Sequence, residues 1–474
     1  MPAQPTDRRR LGILLLVAIA ARAATFGNPV VHVDEEFYYF TGSALWRGLL
    51  PFVDIWDRKP AGLFLLYAAP AGLGFPAGIW AYQLLALAAT VATAALIARL
   101  ADRAGWRAGA TAAACAYILW LDLLGGQGGQ SPVFYNLPMI AAALLILRQD
   151  GTARRLPGLA AMALVGVALQ IKYSVVFEGI FFGLWLLVAE WRRTRNVPLF
   201  LGHGAALAGV ALLPTAVAAA CYARIGAWDA FYFANFLSVF HRNPDPLSEL
   251  ALNLGQIVLI VSPLVALAVL ALVRHAGAGN RHRRFLALWL AAAIGGVLVF
   301  RPWFDHYSLP ILPPACAAAA GMLGSARWRR QWTPALLIVA ALAGQIVLLT
   351  LRSGRGGGAQ LAAVARAVGR GPGCLYVYSG STMLYVATGR CALSRYIVPA
   401  HLSRAREAGA VGVDQDSEIR RILAARPAVV VMRPPYNGER PAARAIVLDA
   451  MARGYRRTAT LPMGNERISV YKRE

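Results

Sequence analysis

The sequence predicts a polytopic α-helical membrane protein of about eleven transmembrane helices, followed by a small C-terminal α/β domain. Three observations predict it. Of the 474 residues 58% are hydrophobic and only 15% charged, too apolar a composition for a soluble core to hide. The apolar residues fall in runs long enough to cross a bilayer, and basic clusters separate them. After Leu351 the pattern changes to short alternating helix-like and strand-like segments.

A bilayer core takes about 20 helical residues. The runs place spans at approximately 11–27, 78–98, 107–122, 133–147, 157–171, 174–190, 199–222, 250–273, 284–300, 308–324 and 333–351. The N-terminal RRR with LGILLLVAIAARAATF is patterned like a signal peptide. No A-x-A-type cleavage site stands out and many spans follow, so it reads as a retained first helix. Arg8 to Arg10, Arg99 to Arg107, Arg148 to Arg155, Arg192 to Arg195, Arg274 to Arg284 and Arg327 to Arg330 fall on one side of this topology. The loop at 123–132 has no Lys or Arg, and the loop at 301–307 has only Arg301. The positive-inside rule then puts the N-terminus in the cytoplasm and everything after Leu351 outside it. Residues 157–190 must hold two short spans, with a hairpin turning near Lys172 and Tyr173. Residues 62–77, broken by Pro70, Gly72, Gly74 and Pro76, read as a re-entrant or interfacial helix.

Residues 352–474 form the second domain, near whose start GRGGG reads as a flexible connection. CLYVY and AVVVM suit buried strands, and AQLAAVARAVGR, DSEIRRILAARP and PAARAIVLDAMARG suit helices between them. No Walker-type loop and no G-x-G-x-x-G follows a strand, so no nucleotide chemistry is assigned. The net charge of +24 comes from topology-setting clusters and the tail, without zinc-finger spacing or a basic helix, so nucleic acid is not expected as a partner. Of the five cysteines, Cys115, Cys221 and Cys316 lie in apolar runs as packing residues, while Cys374 and Cys391 can pair if the tail lies in an oxidising compartment. No His, Cys and Asp cluster has metal-ligand spacing, and no cofactor is implied.

The stretch from His32 to Gly62 stands apart. It places Asp34, Glu35, Glu36, Asp54, Asp57, Arg58 and Lys59 beside a bilayer, where charge is expensive and functional by default. Its pattern is an acidic start with aromatics, Asp34-Glu35-Glu36-Phe37-Tyr38-Tyr39; then Gly48-Leu49-Leu50-Pro51-Phe52-Val53-Asp54; then Asp57-Arg58-Lys59-Pro60. A late His306-Tyr307 precedes LPILPP. On these motifs the membrane part resembles the bacterial family 39 glycosyltransferases of the protein O-mannosyltransferase superfamily, which includes the lipid A aminoarabinose transferases. One departure is Lys59-Pro60-Ala61 where the family commonly has Lys-Pro-Pro.

The resemblance implies a GT-C fold over residues 1–351, with a catalytic external loop at 28–60. It implies an inverting hexosyl- or pentosyltransferase of the bacterial cytoplasmic (inner) membrane. The donor is a polyprenyl-phosphate sugar, the acceptor is an unidentified protein, lipid or glycan, and no metal is needed. By this match Asp34 orients or deprotonates the acceptor, with Glu35 in support and Glu36 solvated; the alternative for Asp34 is the N-cap of a helix at 35–47. Asp57 is a second acid at the acceptor or the partner of Arg58 or Lys59. Lys59, then Arg58, faces the donor phosphate. His306 and Tyr307 contact phosphate or sugar, or anchor the interface. Lys172 meets the phosphate, pairs with Glu178 or snorkels outward. The charge-free Gly125 to Ser131 reads as a flexible turn, and the aromatic stretch 231–245 either lies on the membrane or covers a sugar site. A transporter or flippase is the competing class. No internal repeat supports it, and the polar residues gather at the outer ends of the spans. A non-catalytic scaffold would leave the acidic loop without a use.

Overall fold

The computed structural model describes residues 5–148, 155–275 and 280–474; the parts of two basic clusters at 149–154 and 276–279 lie outside the described residues. Helices form where the apolar runs predict them. The chain begins with α1 (Pro5–Arg22), continues through α2 (Val33–Leu45) and α3 (Ala61–Ala71), and then enters α4 (Ala77–Arg103), α5 (Arg107–Leu123) and α6 (Ser131–Leu147). Next come α7 (Leu156–Leu169), α8 (Val176–Thr194), α9 (Val197–Arg224), the short α10 (Trp228–Tyr232) and α11 (Leu247–Arg274). The last of the apolar helices are α12 (Arg281–Val299), α13 (Leu312–Leu323) and α14 (Thr333–Arg355).

Six helical stretches are long and apolar enough to cross a bilayer by length and composition: 77–103, 173–194, 197–224, 247–274, 281–299 and 328–368. Shorter helices stand at the other predicted spans. The hairpin expected near Lys172 is present, with α7 ending at Leu169 and α8 starting at Val176. Apolar side chains such as Leu212, Leu213 and Val217 of α9 and Leu259 of α11 point outward, as lipid-facing positions of membrane helices do. Small residues let helices touch: a Cβ on Gly109 of α5 would overlap the Ala320 carbonyl of α13.

Contacts divide the chain into two compact units. One comprises Met1–Ala24, Leu84–Ala218 and Pro246–Leu348. The other comprises Thr25–Gln83, Ala219–Asp245 and Leu349–Glu474. The tail expected from residue 352 is therefore built together with the opening loop and with residues 219–245, because apolar and ionic groups of all three segments are buried against one another.

Within this second unit the tail contains α15 (Gly358–Val368), β1 (Leu375–Val377), α16 (Met383–Thr388), α17 (Pro399–Ser403), α18 (Gln415–Ala424), β2 (Val429–Met432), α19 (Pro441–Gly454), β3 (Tyr455–Met463) and β4 (Glu466–Arg473). The sheet order is β1-β2-β4-β3; β1 and β2 are parallel, and β4 pairs antiparallel with both β2 and β3. Val430 and Met432 face Ile419, Ile422, Val447 and Met451 in one core, and Trp56 of the opening loop is buried in that same core. Cys374 and Cys391 form a disulfide, closing the loop that precedes α17.

Candidate functional site

The acids of the opening loop sit at the start of α2. His32 caps the helix, its Nδ1 accepting the Asp34 backbone N–H at 3.1 Å, so the capping role considered for Asp34 belongs to His32. Asp34, Glu35 and Glu36 occupy the first turn, where the helix dipole favours negative charge. Asp34 remains partly exposed at 27% and lies 4.0 Å from His32 Nδ1. Glu35 is buried and accepts a hydrogen bond from the Tyr82 hydroxyl at 3.2 Å. Glu36, expected to be solvated, is also buried. It accepts a hydrogen bond from Ser381 Oγ at 2.5 Å, because helical spacing turns it toward the tail rather than toward water. Burial pushes the Glu36 carboxyl up to about 7, against the opposing pull of Ser381 and Arg355.

The Gly48 to Asp54 motif forms a tight turn. Phe52 adopts the left-handed region with φ 68°, an uncommon conformation for a bulky residue. Its ring is fully buried against Phe64, Tyr222 and Phe231, which hold it there. The Trp56 backbone N–H then donates to the Arg395 carbonyl at 3.0 Å, placing Asp57, Arg58 and Lys59 against the tail.

Asp57 organises this corner. Its Oδ1 accepts the backbone N–H groups of Arg58 at 2.6 Å and Lys59 at 2.8 Å and lies 3.4 Å from Lys59 Nζ. His401 of α17 brings Nε2 to 3.8 Å from the other carboxylate oxygen. Burial pushes His401 down to about 4, so it stands neutral beside Asp57 at pH 7. Lys59 Nζ also lies over the Tyr38 ring at 5.6 Å, and its side chain is 28% exposed.

Arg58 is engaged by the protein on every side. Nε donates to Ser238 at 2.8 Å, Nη1 to Glu407 at 2.7 Å and Nη2 to the Ala410 carbonyl at 2.9 Å, while the guanidinium stacks over Trp56. Arg242 donates to the other Glu407 oxygen at 2.5 Å. Burial alone would raise Glu407, but Arg242 and Arg58 outweigh it and hold the carboxyl at about 2. The geometry of Arg58 is that of a strut. Lys59 is the more exposed of the two cations, its side chain at 28% against 12% for Arg58.

The other unit carries its own cluster. Lys172 Nζ lies 4.3 Å from the centre of the Tyr307 ring, and His306 Nδ1 is 3.1 Å from Asp305 Oδ1. Glu178, weighed as a partner for Lys172, accepts instead from Trp289 Nε1 at 2.6 Å. The Gly125 to Ser131 segment, read as a flexible turn, is held in place: buried Arg22 donates to the carbonyls of Gly126 at 2.6 Å and Gly128 at 3.2 Å. A loop without charge serves because its backbone carbonyls are what a buried guanidinium needs. The sequence reading missed His401, Ser381 and Glu407. A lone His, Ser or Glu in a tail gives no pattern, and only the tertiary fold brings them to the opening loop. Among the described residues no group of three or more His, Cys, Asp or Glu side chains is arranged to hold a metal ion.

No family model and no curated protein matches the sequence. Solved structures do match the fold. The structure of ArnT from Cupriavidus metallidurans bound to undecaprenyl phosphate is 14% identical with a TM-score of 0.64, and the alignment covers 97% of each chain. The apo state of the same protein gives 16% identity and a TM-score of 0.65 over the same shares. The fold resembles that of ArnT. An Archaeoglobus fulgidus oligosaccharyltransferase, tethered to an acceptor peptide containing the NVT sequon, is 11% identical with a TM-score of 0.52, covering 90% of this chain and 69% of that one. The likeness to ArnT therefore runs through both the helical part and the tail, beyond residues 1–351 for which the resemblance implied it.

Proposed function

We propose that the chain is a membrane glycosyltransferase that moves a sugar from a polyprenyl-phosphate donor to a hydroxyl-bearing protein, lipid or glycan at the outer face of the bacterial cytoplasmic membrane. The observation that carries this reading is the corner at Asp57 to Lys59. A partly exposed ammonium is held there by a buried carboxylate, in a fold similar to that of an ArnT structure holding undecaprenyl phosphate.

The chemistry follows from the residues. The acceptor hydroxyl attacks the anomeric carbon from the face opposite the phosphate. A new C–O bond forms, the bond to the phosphate oxygen breaks, and polyprenyl phosphate leaves with the electron pair. Asp34, in the first turn of α2 and partly exposed, takes the hydroxyl proton. Lys59 stabilises the charge growing on the leaving phosphate, and Asp57 fixes Lys59 in place. Glu35 supports the acidic turn through Tyr82. Lys172, His306 and Tyr307 form a second polar cluster suited to the sugar or phosphate. Inversion, a hexose or pentose as the transferred group, a cytoplasmic N-terminus and an extracytoplasmic tail belong to the same proposal.

The test is purified chain incubated with a radiolabelled polyprenyl-phosphate sugar. Hydrolysis or transfer of the label with inverted anomeric configuration is expected. Movement of the intact donor across a vesicle bilayer, with no cleavage, would overturn the enzyme reading in favour of a flippase.

A further inference from the structure

The unit that holds the opening loop contains a cleft of about 670 Å³ away from Asp34 and Lys59, between the end of α2 with the turn after it and the tail segment 390–397. Its size is that of a small-ligand site. Four arginines line it, Arg47, Arg390, Arg395 and Arg421, against two acids, Asp54 and Glu418. Their engagements differ. Glu418 is taken up by Arg421 at 2.7 Å, and Arg390 is spent on the carbonyls of Gly369, Pro372 and Gly373. Asp54 accepts the Leu50 backbone N–H at 2.8 Å.

Arg47 and Arg395 are different. Arg47 is exposed, and among the described residues its guanidinium makes no hydrogen bond to protein; it lies 5.9 Å from the centre of the Phe40 ring. Arg395 donates one hydrogen bond, to the Tyr396 hydroxyl at 2.9 Å, and its guanidinium rests over that ring. Each is steadied by an aromatic face while the remaining donors are left for a ligand. Those donors are forks that match a phosphate or carboxylate. Phe40 and Tyr396 are themselves buried, so neither ring offers an open face on which a nucleobase could stack. The neighbouring walls of Leu49, Val53 and Ile397 suit the C–H face of a sugar ring.

We propose that this cleft binds a phosphorylated saccharide through Arg47 and Arg395. The inference goes beyond the transferase reading and stands without it, because binding is measured directly. The phosphosugar can be free in solution or the headgroup of a lipid, and the two sources are separable. Full-length chain in phosphatidylcholine nanodiscs is titrated calorimetrically with glucose 6-phosphate, then again with its hexadecyl glycoside incorporated in the discs. Saturable binding of glucose 6-phosphate is expected, with Arg47→Gln and Arg395→Gln each weakening it about tenfold or more. Competition by the disc-borne glycoside names a lipid source, and no competition names a soluble one. Arg47 is exposed and unbonded, so its variant keeps the wild-type melting temperature and an effect on binding is not an effect on folding. Absence of saturable binding, glucose binding as tightly as its phosphate, or adenosine monophosphate binding as tightly as the phosphosugar would each overturn the proposal. So would binding that survives in the double variant.

Discussion

The Asp34 and Lys59 side chains are partly exposed, whereas the carboxylates next to them, Glu35, Glu36 and Asp57, are buried and held by named partners. Under the proposed function the reactive roles fall on Asp34 and Lys59. Asp34→Asn is expected to keep the wild-type elution and melting profile while lowering transfer by about a hundredfold or more, the usual worth of a positioned base. Lys59→Ala should raise the donor concentration needed for half-maximal rate, and Lys59→Arg should restore part of it; a donor dependence unchanged in the Ala variant would remove Lys59 from the phosphate site. Glu36 allows a prediction with a definite sign. Its native carboxyl titrates near 7, against the ordinary 4.5, so the folded state holds the extra proton between those values. The stabilisation is complete below pH 4.5 and is lost as pH rises through 7. Glu36→Gln should therefore gain melting temperature relative to wild type on going from pH 5 to pH 8, and a difference equal at both pH values would refute the assignment. His401 acts in the opposite direction. Its native pKa near 4 lies below the ordinary 6.5, so its contribution is complete above 6.5 and is lost as pH falls toward 4. None of this was legible in the sequence, where Glu36 looked like one more acid in a wet loop and nothing singled out His401.

Elements were far more legible than residues. Long apolar runs announce α4, α9, α11 and α12 because length and composition alone specify a membrane-length helix. Tail strands β1 and β2 were legible for a related reason: a short Val- and Tyr-rich run between helical patterns has few other uses. The helices α16 and α17 escaped notice since six and five residues show no periodicity. The pairing of α2 with α3 also went unread, although it positions Asp34 and Lys59. Gly42 makes it possible: a Cβ there would stand 2.7 Å from the Tyr67 backbone carbon, and the Trp46 indole closes the pair by donating to the Ala68 carbonyl at 2.7 Å. Gly42→Val should lower stability by about 1 to 3 kcal/mol through overpacking against backbone that cannot yield. Transfer activity should fall with it, as read by melting and by turnover of the same preparation. The Cys374–Cys391 bridge spans 17 residues, and Cys391→Ser is expected to lower the stability of the tail by about 3 kcal/mol on the chain-entropy model. Limited proteolysis of the 374–397 region would report it.

At the scale of the molecule, the ArnT-like fold was anticipated from the opening loop, but the way that loop is built into the second unit was not. A sequence boundary at 352 separates segments that the fold unites: Trp56 fills the tail's core, and Arg58 bonds to residue 238 on one side and residues 407 and 410 on the other. The tail is thus part of the scaffold that shapes the loop, and removing it should disable the site rather than merely deregulate it. The test is the strut itself. Arg58→Ala leaves Glu407 buried with Arg242 at 2.5 Å and Arg406 at 3.8 Å, and breaking a buried pair in this way costs about 3 to 5 kcal/mol. Arg58→Lys should fail to rescue, since one ammonium cannot reach Ser238, Glu407 and Ala410 together. Replacing both partners by apolar residues, Arg58→Met with Glu407→Leu, should recover only part of the lost stability, because Arg242, which also bonds Glu407, then loses its carboxylate. If Arg58 instead served chiefly the donor phosphate, Arg58→Ala would melt like wild type and lose only donor affinity. Melting curves set beside donor titrations of the three variants decide between strut and ligand.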